Sequence, residues 1–279
     1  MPGLFVFLWA TGFIGAKFGL PYAEPFSFLA IRFAVVAVLM AGFSLVVSAP
    51  WPRDLNALGH IALAGLLVHG MYLGGIFAAI GLGLSAGVSS LVAGLQPVLT
   101  AMVAGPLLGE AVNRRQWLGI VLGFAGVVLV LGNRIHISPD TWIAVWPAVV
   151  GLIGITAGTL YQKRFCAHMD LRTGSAIQFA ASCAALAVLA LIFDEKPVQW
   201  TGEFLFAVGW LVIVLSFGAV TLLYVLIRRG AAAKVASLFY LVPPITALMA
   251  YFMFGETLGL QELIGMGVVV AGVALVTRN

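Results

Sequence analysis

Sliding the chain on itself by 146 positions aligns the stretch Gly87 to Asn133 with the last 47 residues without a gap. Pro97 falls on Pro243, Gly109-Glu110 on Gly255-Glu256, Gly119 on Gly265, Ala125-Gly126-Val127 on Ala271-Gly272-Val273 and Asn133 on Asn279. Between positions 97 and 133 there are 13 identities in 37, where a composition this biased gives roughly one in ten. The same shift places Gly12 on Gly158, Lys17 on Lys163 and Ala30-Ile31 on Ala176-Ile177. The chain therefore reads as two copies of one unit, 1–139 and 140–279, and its fold must be built twice.

What each copy can be follows from polarity. With 62% apolar residues, 9% charged and a mean hydropathy of +1.12, the chain lies far from soluble domains, where about a quarter of residues are charged. A run of about 20 apolar residues spans the hydrocarbon core as a helix, and the alternation of about ten residues that marks a barrel strand is absent. Apolar tracts predict spans at 2–20, 26–48, 57–81, 85–107, 113–132, 141–163, 173–193, 203–227, 233–254 and 258–277, with Gly81-Leu82-Gly83 turning the chain between the third and fourth. The N-terminus is apolar within three residues and reads as the first of these, not as a signal peptide. Five spans per copy is odd, so the second copy enters the bilayer from the opposite face. The expected fold is an all-α polytopic membrane protein of ten transmembrane helices in two inverted five-helix repeats.

Charge sets orientation. One face collects Arg53, Arg114, Arg115, Lys163, Arg164, Arg172, Arg228, Arg229, Lys234 and Arg278, and the other holds Lys17, Arg32, Arg134 and Lys196. Positive residues in short loops stay cytoplasmic, which puts both termini in the cytoplasm. The net charge of +4 is thereby explained by topology, and no nucleic-acid partner follows. Cys166 and Cys183 support neither a disulfide framework nor a metal site, and without a Walker A sequence there is no ATPase motor on the chain. No cofactor and no ATPase subunit are implied.

Chemistry is expected where the helices break. Pro97 in the fourth span and Pro243-Pro244 in the ninth each remove a backbone donor and free carbonyls that hydrocarbon cannot solvate. Paired interruptions at the bilayer midplane are where inverted-repeat carriers bind substrate. At similar depth lie Trp9, His69, Tyr72, Gln96, Phe217, Tyr224 and Tyr240, which with Pro97 and Pro243 form the candidate substrate site. The shift places Ile155, Leu215 and Val242 opposite Trp9, His69 and Gln96, so the scaffold is doubled while the polar chemistry is single-sided. No charged residue falls at the centre of an expected span, which favours a neutral or zwitterionic solute such as an amino acid over a phosphorylated one. An intramembrane enzyme using His69 as base would need a nucleophile or metal partner at its depth, and none is visible.

Inversion also predicts crossed ion pairs. Lys17 with Glu256 would close or steady one gate, and Lys163 with Glu110 the other. Gly119, Gly123 and Gly126 in the fifth span, echoed by Gly265 and Gly272 in the tenth, form small-residue faces suited to packing against each other.

Each copy has a Gly-Glu step before a helix ending in Gly-x-x-x-x-x-Ala-Gly-Val, and Trp9, Gly12, Lys17, Pro25 and Arg32 mark the first hairpin. In these features the chain resembles the EamA-type carriers of the drug/metabolite transporter superfamily, and within it the YddG group of aromatic amino acid exporters. The second copy departs from the pattern, with Ile155 opposite Trp9 and Gln178 opposite Arg32. The resemblance implies ten helices, a central cavity, alternating access without a cofactor, and export of amino acids or related small metabolites across a bacterial inner membrane. Multidrug or nucleoside export by the same fold is the alternative.

Overall fold

The computed structural model describes residues 1–84, 89, 92–131, 141–254 and 259–277. Among them the regular structure is helical, with no strand. The rods are α1 (Pro2–Gly19), α2 (Pro25–Val46), α3 (Leu55–Gly81), α4 (Gln96–Leu108) and α5 (Arg114–Leu131), followed by α6 (Thr141–Phe165), α7 (Leu171–Phe193) and α8 (Gly202–Arg229). The ninth, α9, is composite, made of Ala232–Ser237, a 3-10 turn Leu238–Leu241 and Val242–Phe254, and α10 is Leu260–Thr277. Among the described residues seven helices are long and apolar enough to cross a membrane, while Pro2–Gly12 and α4 are shorter apolar stretches.

Local chemistry sets the helix ends. Pro25 opens α2 in the first turn, where its missing N–H costs nothing. Asp54 caps α3 by accepting from the Asn56 and Ala57 amides, and Thr201 caps α8 through the Phe204 amide. Gly83 takes a positive φ of 93° just after α3, at the turn expected there. Gly109, at φ 69°, ends α4 with its N–H on the Gly105 carbonyl, a left-handed cap that swings Glu110 out of the helix.

The helices pack in pairs that exchange with one another under the 146-residue shift: α2 on α7, α5 on α10, α3 on α6 and α1 on α8. The α5–α10 seam is built by the glycines expected to build it. A Cβ on Gly119 would stand 2.6 Å from the Gly272 carbonyl oxygen, and one on Gly126 2.6 Å from the Val269 nitrogen. Backbones therefore meet directly along this seam.

Pro97 and Pro243 do not sit within continuous helix as expected. A turn at Gly94-Leu95 precedes α4, so Pro97 lies in its first turn, and the 3-10 turn of α9 places Pro243 at the start of a new α segment. Both chains are interrupted, but just before each proline, where the lost donor is least costly. Two further irregularities were not foreseen. Leu66–Met71 of α3 and Leu211–Ala219 of α8 are π-helical, at positions related by the same shift.

Candidate substrate site

The π segment of α8 packs against α1 and α2, and Tyr72–Gly81, the part of α3 beyond its own π segment, packs against α2, so that a small cavity lies among the four helices. It is lined by Trp9, Gly12 and Ala16 of α1, Arg32 of α2, Tyr72, Leu73, Ile76, Phe77 and Ile80 of α3, and Leu215 of α8. Its volume of about 30 Å³ admits water but not a metabolite, since pockets for small molecules run to roughly 300–1,000 Å³. A substrate can enter only if the helices move apart.

One wall is aromatic. Trp9 stacks on Tyr72 with centroids 6.4 Å apart and planes at 16°, and meets Phe239 of α9 edge-on at 5.1 Å. Phe5 closes the cluster against both Trp9 and Phe239. Faces and edges of this kind bind flat apolar groups and cations alike. The α1 backbone approaches α8 through Gly12, where a Cβ would stand 2.9 Å from a Leu215 methyl carbon.

Arg32 requires a correction. Charge counting put it among the surface residues of the less basic face, and no buried base was expected. The structure buries it completely, at 0% exposure, on the cavity wall. Its Nη2 donates to the Ser216 hydroxyl at 3.1 Å, while Nε and Nη1 have no acceptor. The signal was its place, the eighth residue of a 22-residue apolar helix, too deep for a loop charge.

His69, midway along α3, belongs to a second polar group beside the cavity. Tyr224 O–H donates to Gln178 Oε1 at 2.5 Å, so the 2.9 Å contact with His69 must be a donation from His69 Nε2–H to the phenol oxygen. Gln178 Nε2 in turn donates to Gln162 Oε1 at 2.8 Å, and Gln162 reaches the Met169 sulfur. The His69 ring lies flat on Phe179 at 4.2 Å. This buried chain of side chains runs from the middle of α3 through α8 and α7 to α6. Gln162 was not singled out in the sequence, and Gln178 only as the residue that the shift places opposite Arg32.

The other expected site residues disperse. Gln96 bonds Thr159 of α6 at 3.3 Å, Tyr240 packs over Gly123 of α5 with its hydroxyl unpartnered, and Phe217 packs against the core. The structure thus brings Trp9 and Tyr72 together at the cavity and His69 and Tyr224 together beside it, while Gln96, Pro97, Phe217, Tyr240 and Pro243 do not line it. Among the described residues no cluster could hold a metal ion.

Comparison with known proteins settles the class. The sequence pattern of the EamA-like transporter family matches twice, over residues 4–132 and 137–278. The chain belongs to the EamA-like transporter family. It is 28% identical over 272 residues to the uncharacterized inner membrane transporter YedA of Escherichia coli K12, covering 97% of this chain and 87% of that one. It is 27% identical over 286 residues to a probable terminal-alkyne amino-acid exporter of Streptantibioticus cattleyicolor, covering 99% and 92%. A solved structure shares the fold with a TM-score of 0.83 at 21% identity, over 99% of this chain and 95% of that one. The protein is a multi-pass membrane transporter, and its family and relatives are transporters, not enzymes.

In this EamA-like transporter polar contacts tie several helices together at the basic end of the bundle. Glu110, just past α4, pairs with Lys163 near the end of α6 and accepts the Ala232 amide of α9 at 2.7 Å. Lys163 also donates to the Gly230 carbonyl in the α8–α9 turn, Arg164 to the Leu107 carbonyl at 2.7 Å, and Arg228 to the Met169 carbonyl. The Lys163–Glu110 ion pair is thus made, whereas Glu256 and the Lys17 side chain lie outside the described residues.

Proposed function

We propose that this transporter exports amino acids, aromatic ones first, and related small metabolites outward across a bacterial inner membrane by alternating access. The reading takes residues 1–139 and 140–279 as inverted five-helix repeats contributing ten spans, with both termini cytoplasmic and the basic end facing the cytoplasm. Packing in pairs that exchange under the 146-residue shift supports the repeats, as does the double match of the family pattern. Trp9, Tyr72, His69 and Tyr224 form the substrate region, and opening of the Lys163–Glu110 end admits substrate from the cytoplasm.

The observation that carries the substrate class is the Trp9–Tyr72 stack on the wall of a cavity that also presents polar groups. An apolar or aromatic side chain can lie against it while the polar end of a zwitterion faces the polar wall. A relative named as a probable amino-acid exporter points the same way.

The test is uptake into inside-out vesicles, or efflux from loaded proteoliposomes, of phenylalanine, tyrosine, tryptophan, leucine, threonine, uridine or a sugar phosphate. Aromatic amino acids should move fastest, and Trp9→Ala should reduce that flux about tenfold, the worth of one lost aromatic contact with a substrate. Carriage of uridine or the sugar phosphate with no carriage of amino acids would sink the reading.

A further inference from the structure

The guanidinium of Arg32 is the least satisfied charged group described in the molecule. It lies about 10 Å in from the start of α2, fully buried, on the cavity wall. A buried cation without a counter-anion is costly, and in membrane proteins such groups persist mainly where they act. Ser216 offers a neutral hydroxyl only. The carboxylates with described partners are engaged elsewhere, at the bundle ends: Glu110 with Lys163, Asp170 with Arg172, and Glu24, Asp54 and Asp194 with backbone amides.

Geometry narrows what could complete it. Ser216 occupies one of the two hydrogens on Nη2, and Nε and Nη1 are both free. One whole edge of the guanidinium therefore keeps two parallel N–H groups, the fork that matches a carboxylate. The rest of the wall is aromatic and aliphatic, with Trp9, Tyr72, Ile76 and Leu215. A single cation against such a lining suits a monoanionic head on an apolar body better than a doubly charged phosphate.

We propose that Arg32 is the anchor for a substrate carboxylate, bound bidentately, with Ser216 of the π-helical segment holding the guanidinium in place. The ligand class is then a small carboxylate bearing an apolar or aromatic body, which includes amino acids. This rests on the reading that the cavity is part of the transport site.

The experiment is counterflow in proteoliposomes preloaded with phenylalanine, using external competitors that differ in one group: phenylalanine, 3-phenylpropionate, phenylalanine amide, 2-phenylethylamine and phenyl phosphate. With the wild-type protein the two carboxylates should compete about tenfold better than the amide and the amine. Arg32→Gln should abolish that preference, and Arg32→Lys should restore part of it. The wild-type comparison needs no variant, so a misfolded Arg32→Gln protein does not remove the test. Equal competition by acid and amide, or preference for the phosphate, overturns the anchor while leaving amino-acid transport intact. Flux that follows chloride concentration and ignores the carboxylate overturns it too, by assigning the site to an inorganic anion. If phenylalanine is not carried, the panel is repeated with whichever solute is. Discrimination of its carboxylate by Arg32 then upholds the anchor although the amino-acid reading has failed, and its absence overturns both.

Discussion

Tyr224 has one proton and two polar neighbours, and that fixes the direction of the hydrogen bonds around it: it gives to Gln178 and receives from His69. Tyr224→Phe keeps the ring and leaves a buried His69 N–H and a buried Gln178 oxygen without partners. Each such group costs on the order of 1–3 kcal/mol, so the variant should melt several degrees lower in detergent. An unchanged melting point would mean that water replaces the hydroxyl. A second prediction concerns Asp170, which caps α7 and accepts from the Arg172 guanidinium at 3.0 and 2.6 Å. The guanidinium bonds, helped by the Arg172 and Thr173 amides, hold its carboxyl down to about 2 from an ordinary 3.8. A depressed carboxyl stabilises fully above its unfolded value and loses that contribution as pH falls through its folded value. Protection of the Thr173 and Gly174 amides, taken relative to intrinsic exchange at each pH, should therefore hold at pH 4 and fall toward pH 2, whereas Asp170→Asn should be less protected at pH 4 already. Arg32 and Gln178 show why residues of this kind were hard to read in advance. The sequence reveals a polar residue in an apolar tract, but its depth and partner depend on how helices distant in sequence meet.

The helices themselves were legible because span length and breaks leave strong marks on composition. The α5–α10 seam was legible too, since only glycine lets two backbones meet. It yields a paired prediction. Gly126→Ala puts a methyl 2.6 Å from the Val269 backbone nitrogen, which cannot move aside alone, whereas Gly209→Ala adds a methyl with nothing within 4 Å. The first should cost about 1–3 kcal/mol as an overpacked contact, and the second should be neutral or slightly stabilising because alanine favours helix. Thermal melts of the two variants under identical conditions decide this, and equal melting points would show that the seam is loosely packed. The π segments were not legible. Leu66–Met71 and Leu211–Ala219 carry no proline, and the extra residue in the turn comes from packing that local sequence does not encode. They recur at equivalent places in α3 and α8, and His69 and Ser216, one from each polar group of the site, lie within them. The proline breaks were legible as breaks, but their distance from the cavity was not.

At the scale of the whole molecule, a cavity too small for a metabolite describes a state from which transport must depart, and the proposed function makes the Glu110–Lys163 end the one that opens. The pair joins the ends of α4 and α6 to the α8–α9 turn, so loosening it should free the end as a unit and not one side chain at a time. Cys166 is a built-in reporter of that opening. It lies buried just past α6 with its thiol directed at the His60 carbonyl, and burial pushes that thiol up to about 11 from an ordinary 9. A thiolate is the species that maleimides attack, so burial slows labelling at neutral pH through ionisation as well as by blocking access. In a Cys183→Ser background, Glu110→Gln and Lys163→Met should each accelerate labelling of Cys166 several-fold, and a transported substrate should change the rate in the wild-type pair. The pH dependence separates the two causes. If the end opens, the labelling rate should level off near pH 9 in the variants while still climbing at that pH in the closed protein. Rates and profiles that match between the variants and their parent would show that the ion pair decorates this end without holding it shut, and that alternating access turns on contacts elsewhere.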